Sequence, residues 1–164
     1  LPAPVSELYA GSYRRLVVQL YAVTGDLGEA EEAVQEAFVR LLGGRGRLAR
    51  LANPESWLRR VAVNVARSRH RRRRFLHALL RRAGPPPTVP ELSPDHVAVI
   101  AALRRLPVGQ RHAIALHYLA DLPLEEVART LEVSVGTVKS RLARGRVALA
   151  ALLGEPESVH KVGS

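Results

Sequence analysis

Leu124-Glu125-Glu126-Val127-Ala128-Arg129-Thr130-Leu131-Glu132-Val133-Ser134-Val135-Gly136-Thr137-Val138-Lys139-Ser140-Arg141-Leu142 is the stretch that decides the fold. Leu124, Val127, Ala128 and Leu131 recur at steps of three and four, the mark of a short amphipathic helix starting at Pro123. Glu132, Val133 and Ser134 make a tight connection. Ser134 is placed to accept a hydrogen bond from the free backbone N–H groups that open a second helix over 135–152. A short helix, a three-residue turn and a longer basic helix form a helix-turn-helix pattern. On the wheel of the second helix, Val135, Val138, Leu142 and Leu149 fall together and are expected to face the core. Gly136, Thr137, Ser140, Ala143 and Arg144 lie opposite, with Lys139 and Arg141 on the flanks. That face is small, polar and cationic, so it fits a major groove about 12 Å wide. Arg and Lys reach guanine or phosphate, Ser and Thr reach base edges or phosphate, and the Ala methyl can meet thymine.

Upstream, Val97, Ile100, Leu103 and Leu106 outline one helix, and residues 109–119 form another that Asp121-Leu122-Pro123 breaks. Leu106-Pro107, Gln110-Arg111, Leu124-Glu125-Glu126-Val127-Ala128 and above all the nine residues from Ser134 to Leu142 resemble region 4 of bacterial sigma factors. They are most similar to the small extracytoplasmic-function (group IV) class of the sigma-70 family. The resemblance implies a domain that binds the −35 promoter element and contacts the flap of the RNA polymerase β subunit. Carried over by position, Lys139, Ser140, Ala143 and Arg144 would face bases, while Thr137, Arg141 and Arg146 would touch phosphates. Gly145 departs from the usual Ala, which is expected to weaken the helix slightly.

Charge separates this half from the other. The chain of 164 residues carries a formal net charge of +10, and nearly every cation is Arg, with Lys only at 139 and 161. Residues 40–82 hold 14 Arg against one acid, Glu55, so the rest of the chain is slightly acidic. Such asymmetry points to a polyanion met by part of the surface. Between the halves, Gly84-Pro85-Pro86-Pro87, Pro90 and Pro94 exclude a continuous helix and favour an extended, semi-rigid connection. At about 3.1 Å per residue, such a linker could hold two domains tens of ångströms apart. The expected division is a domain at 1–80, a linker at 81–95, a second domain at 96–154 and a tail at 155–164.

The first half is also helical. One helix over 5–23 stripes through Tyr9, Tyr13, Leu16, Val17 and Leu20. A second over 29–42 lines up Ala30, Ala33, Val34, Ala37, Phe38 and Leu41, with Asp26 as its N-cap and acids in its first turns. Glu32, Gln35, Glu36, Val39 and Arg40 project away from that stripe and give a partly acidic outer face. A Gly- and Arg-rich loop at 43–53 precedes a third helix, with Asn53 as N-cap and Pro54 at its first position. Trp57, Arg60, Asn64, Arg67 and Arg71 recur along it beside a core face of Leu58, Val61 and Val65. One aromatic, one amide and three guanidiniums suit a separated DNA strand: Arg holds phosphates, the aromatic stacks or wedges, and Asn pairs with a base edge. A lone Trp beside an apolar stripe fits the core equally well. No alternating run suggests a strand, so the expected fold class is all-α, with two small helical domains joined by a Pro-rich linker.

The same family resemblance covers this half. Gly25-Asp26-Leu27-Gly28-Glu29-Ala30-Glu31-Glu32-Ala33-Val34-Gln35-Glu36-Ala37-Phe38-Val39 is similar to the sigma region 2 helix that docks on the β′ clamp helices of core RNA polymerase. This implies docking through Asp26, Glu32, Gln35, Glu36 and Val39. Trp57-Leu58 and Val61-Ala62-Val63-Asn64 resemble the segment that reads and melts the −10 element, with Asn64 near a flipped-out base and the preceding loop forming its pocket. Arg71 to Arg74 would track phosphates. Ser68 stands where many relatives have Asp. The implied partners are core polymerase, promoter DNA both double-stranded and melted, and an anti-sigma factor.

Other classes fare worse. Zero cysteines exclude a disulfide scaffold and a thiolate metal site, and the six His and scattered acids give no metal-ligand spacing. HExxH, GxSxG and P-loop motifs are absent, so neither an enzyme nor a cofactor is expected. No apolar run approaches a membrane span and no signal-peptide pattern opens the chain, which makes membrane insertion unexpected and a cytoplasmic protein the expectation. Leu1 in place of an initiator Met implies trimmed ends, and the short stretch after the region 4 resemblance is expected to leave no room for an extra domain. The competing function is a stand-alone helix-turn-helix regulator that binds operators as a dimer. Promoter sequence, inducing signal and any anti-sigma identity are beyond these residues.

Overall fold

The computed structural model describes residues 3–80 and 92–154, with the backbone alone for 70–80. The Arg71 side chain, most of the expected linker and the tail at 155–164 therefore lie outside the described residues. The elements in order are α1 (Ala3–Thr24), α2 (Leu27–Gly43), α3 (Arg47–Arg50), α4 (Pro54–Leu80), α5 (Pro94–Leu103), α6 (Val108–Ile114), a π-helical turn (Ala115–Leu119), α7 (Leu124–Leu131) and α8 (Val135–Leu152). Among the described residues every regular element is helical, and the chain is all-α.

Side-chain caps set the helix starts. Asp26 Oδ1 accepts from the Glu29 N–H at 2.9 Å, Asn53 Oδ1 from Ser56 at 3.0 Å and Ser134 Oγ from Thr137 at 3.1 Å. Each satisfies one of the orphan donors at a helix N-terminus, and all three are the caps the sequence named, although α2 begins at Leu27, two residues before the expected start. Ser93 does the same for α5 at 3.3 Å, with Pro94 following. Gly44, in extended backbone, stops α2.

Leu16 and Leu20 of α1, Leu27 and Val34 of α2, and Leu58 and Ala62 of α4 are sealed from solvent in the first half. Two expectations need correction here. Tyr9 is 39% exposed and stacks on Tyr13 rather than entering the core. The apolar face of α4 is wider than the wheel implied: Val63 and Ala66 are buried with Leu58, Ala62 and Val65, while Val61 is half-buried. The reason is that α4 is covered twice, by α1 and α2 on one side and by α7 on another.

In the second half, Ile100, Leu103, Ile114, Leu116, Val127, Leu131, Val138 and Leu142 form the core. Val97, expected in the α5 stripe, is 47% exposed. Val135 and Leu149 of α8 are only half-buried, and Gly145 is buried instead. The helix expected over 109–119 widens at Ala115, where Ala120 N–H reaches back to the Ala115 carbonyl at 3.1 Å. His117 Nδ1 lies 2.8 Å from the Leu122 carbonyl and ties the end of this turn to the loop before α7.

The two halves touch. Although an extended linker could separate them, their buried residues form one hydrophobic cluster, with α1 against α5, α6 and the π turn, and α4 against α7.

Candidate nucleic-acid interface

The helix-turn-helix is α7, a turn and α8. Glu132 in the turn takes left-handed backbone (φ 58°), and the Val133 N–H bonds the Ala128 carbonyl at 3.0 Å, closing the end of α7. Ser134 then caps α8, its hydroxyl also 2.9 Å from that of Thr137. The cap employs the Thr137 side chain in the first turn of α8. Lys139, Ser140, Ala143 and Arg144 are exposed together on the outer face. Arg146 donates to the Tyr118 hydroxyl at 2.7 Å, so its guanidinium is held by the π turn. Arg141 is half-buried and lies across the start of α6, where Gly109 makes room: a Cβ there would sit 3.0 Å from Arg141 Nε.

Gly145 has a packing role that its position in the sequence does not disclose. A Cβ built on it falls 2.9 Å from Ile114 Cγ1, and Ile114 is itself 2% exposed. The glycine lets α8 approach α6 closely.

On α4 the proposed stripe divides. Trp57 is half-buried, and the Arg47 guanidinium sits 5.2 Å from its ring centroid. Arg47 also donates to the Arg40 carbonyl at 3.0 Å, folding back over Gly44, where any Cβ would collide with it. Trp57 thus packs against the edge of the core, and a cation from the start of α3 lies over its face. Asn64 opens into a polar cleft of about 400 Å³ with Glu36, Arg40, Ser68 and Arg69. Next to the loop, a more apolar hollow of about 470 Å³ runs from Pro4 and Val5 past Leu41 and Leu42 to Arg45, Arg47 and Leu48.

Arg60 and Arg67 point the other way. Arg60 Nη2 is 3.4 Å from Glu126 Oε2, and Arg67 Nη1 donates to the Leu131 carbonyl at 3.1 Å, both on α7. The stripe therefore does not come together on one free surface. Sequence patterning also gave no role to Arg59, which is buried, donates to Gln19 Oε1 at 2.8 Å and lies 3.6 Å from Glu55. Burial pushes its guanidinium below its ordinary range, an effect Glu55 partly offsets. The four-residue spacing from Glu55 to Arg59 is the one signal that could have found it. Arg104 was missed as well, and Arg111, quoted within the Gln110-Arg111 resemblance, was given no contact; both reach back to the first half.

The α2 face carries the other candidates. Asp26 is used as the helix cap. Glu32 pairs with Arg69 of α4 at 2.9 Å, and Glu36 pairs with Arg40 at 3.0 Å. Gln35 donates to the Tyr13 hydroxyl at 3.2 Å. Val39 is 60% exposed, beside exposed Leu42 and the aromatic group of Tyr9, Tyr13 and Phe38. The face is partly acidic, as patterning reads it, with Glu32 and Glu36 each paired to an Arg at the surface, and exposed Val39 and Leu42 add apolar area beside them.

Residues 8–76 match the family model for Sigma-70 region 2, and residues 96–149 match that for Sigma-70 region 4. The chain is 37% identical over 137 residues to the ECF RNA polymerase sigma factor SigM of Mycobacterium tuberculosis, covering 77% of this chain and 65% of that relative. It is 30% identical over 154 residues to the ECF RNA polymerase sigma factor SigW of Bacillus subtilis, covering 84% and 82%. The fold is similar to that of the sigma factor RpoE in its co-crystal with the anti-sigma factor NepR from Bartonella quintana, with a TM-score of 0.77 at 21% identity over 92% of this chain and 97% of that one. The capped helix-turn-helix, the region 2 helices and these likenesses place the chain in one family: it belongs to the extracytoplasmic-function sigma factors of the sigma-70 family.

Proposed function

We propose that this chain confers promoter specificity on RNA polymerase, binding the core enzyme and directing it to promoters through −35 and −10 elements, without catalysing a reaction itself. The observation that carries this is the pairing of a capped reading helix, with Lys139, Ser140, Ala143 and Arg144 exposed, with a region 2 fold in the same chain. In this reading Lys139, Ser140, Ala143 and Arg144 read −35 bases, and Thr137, Arg141 and Arg146 hold phosphates, Arg146 braced by Tyr118. Trp57, Asn64, Arg60, Arg67 and Arg71 serve the separated −10 strand. Val39, Gln35, Glu36, Glu32 and the Asp26 cap form the surface for the β′ clamp helices. The region 4 half meets the β flap.

The stand-alone dimeric regulator is not favoured, because a region 2 match across residues 8–76 has no place in it. An anti-sigma factor is the proposed regulatory partner, and such a complex is known for the RpoE neighbour. No described helix is long and apolar enough to cross a membrane. The test is reconstitution with core polymerase and selection of bound promoters, followed by run-off transcription. Arg144→Ala should lower promoter-specific transcripts at least tenfold while leaving core binding intact, which corresponds to about 1.4 kcal/mol, within the range for one base contact. A homodimer that binds duplex DNA equally well without polymerase would sink the reading.

A further inference from the structure

Tyr118 differs from its neighbours along the chain. From Arg111 to Ala120 it alone is exposed, at 47%, while the other residues are buried or half-buried. It lies in the π-helical turn (Ala115–Leu119), a widening of the helix that recurs at functional sites. Its ring is also held in place. The His117 ring meets it edge-on with centroids 4.8 Å apart, and His117 is tied in turn to the Leu122 carbonyl. The turn thus presents a phenol at the surface in a fixed pose.

The Tyr118 hydroxyl accepts from Arg146 Nη1 at 2.7 Å. A phenol that accepts keeps its own O–H to donate, and the guanidinium keeps its remaining N–H groups. The phenol is neutral, so this pairing leaves the Arg146 charge uncancelled, whereas Arg40, Arg60 and Arg69 each face a carboxylate. Lys139 lies two turns before Arg146 on the same flank of α8, and both are exposed. An O–H donor, N–H donors and positive charge on one flank of a groove-reading helix suit the oxygens of a phosphodiester.

We propose that Tyr118 is itself a DNA contact: its hydroxyl and the Arg146 guanidinium clamp one backbone phosphate of the −35 duplex. Arg146 donates to both the phenol oxygen and the phosphate, and the phenol O–H donates to the phosphate. The inference rests on the −35 contact proposed above, and it adds a residue from the turn that precedes the helix-turn-helix. Carboxylates of a protein partner could meet the same donors; the flank shared with Lys139, beside the reading face, favours DNA.

Phosphate contacts carry no base information, so a mixed-sequence 20-base-pair duplex tests the clamp without a known promoter. Its binding to the full chain is followed by fluorescence anisotropy across salt concentrations. Tyr118→Phe removes the hydroxyl and keeps the ring on His117, and Tyr9→Phe at another exposed tyrosine is the control. Tyr118→Phe should weaken duplex binding about three- to tenfold with an unchanged log–log salt slope, because the lost donor is uncharged. Arg146→Met should make that slope shallower by about 0.9, and adding Tyr118→Phe to it should weaken binding less than about twofold further. Equal affinities for Tyr118→Phe and Tyr9→Phe would overturn the clamp, as would additive losses in the double variant. A Tyr118→Phe slope as shallow as that of Arg146→Met would also overturn it, since the phenol would then only brace Arg146. Unchanged duplex binding with weakened binding to core polymerase would overturn it in favour of a protein contact. Run-off transcription by the wild-type chain with core polymerase tests the proposed function separately, so a failed clamp and a failed function are told apart.

Discussion

Gly145 shows how one residue joins local and tertiary demands. In an isolated helix Ala would be better there by about 1 kcal/mol. Against the buried Ile114 at 2.9 Å, the extra methyl overpacks, at about 1–3 kcal/mol. Gly145→Ala should therefore lower stability by up to about 2 kcal/mol, read as a fall in Tm; a raised Tm would mean that α6 and α8 separate easily. Glu55 makes a second residue-scale case. Its carboxylate receives two bonds from Arg15, at 2.6 and 2.7 Å, and the Arg15 guanidinium holds it below the usual glutamate range despite partial burial. A carboxylate whose folded pKa is depressed stabilises the fold above its unfolded pKa, about 4.3, and loses that contribution as pH falls through the folded value. Glu55→Gln should thus melt earlier than wild type at pH 7, by at most about 1 kcal/mol for so exposed a pair, and the difference should close below about pH 4. A gap that did not narrow as the pH fell would assign the effect to packing.

At the scale of the element, α1 depends on residues more than 80 positions away. Its Val23 carbonyl accepts from Arg111 and its Tyr21 hydroxyl from Arg104, which also donates to the Gly25 carbonyl just past its end; Arg111 is buried, and burial pushes its guanidinium below the ordinary range. Arg111→Met keeps much of the volume but leaves the Val23 carbonyl unpaired in the interface. We expect a loss of about 1–3 kcal/mol, seen by denaturant titration, with Arg105→Met at an exposed neighbouring position near neutral. Wild-type stability in Arg111→Met would show that water replaces the guanidinium. The expected caps of α2, α4 and α8 agree with the structure because a cap is a local device: Asp26, Asn53 and Ser134 need only the next three residues to act. The α4 face was less legible. Val63 and Ala66 are buried on a helix that α1, α2 and α7 all touch, and a wheel drawn for one helix carries no record of how many partners surround it.

For the whole molecule, the Arg-rich stretch reads differently once folded. Of its 14 Arg, Arg40, Arg47, Arg59, Arg60, Arg67 and Arg69 are engaged within the protein. At about 0.7 counterions per phosphate on a single strand, fourteen free cations would give a log–log salt slope near −10, and setting those six aside leaves at most eight and a slope shallower than about −6. Oligonucleotide titration across salt concentrations measures it, and a slope near −10 would mean that the internal pairs open on binding. The proposed function also puts strand separation on little more than Trp57, whose face Arg47 covers. Permanganate footprinting of a selected promoter should show reactive thymines with polymerase present and none with the isolated chain; melting by the chain alone would contradict this. What the sequence determined by itself was helical class, the caps of α2, α4 and α8, the helix-turn-helix and family membership, all of which depend on residues within a few positions of one another. By contrast, α3 in the expected loop and the start of α5 at Pro94 in the expected linker were not foreseen. Only the tertiary structure decided that the halves pack together, that Arg104 and Arg111 finish α1, and that Arg60 and Arg67 face α7. Those contacts join residues 64 to 88 positions apart, where no periodicity reaches.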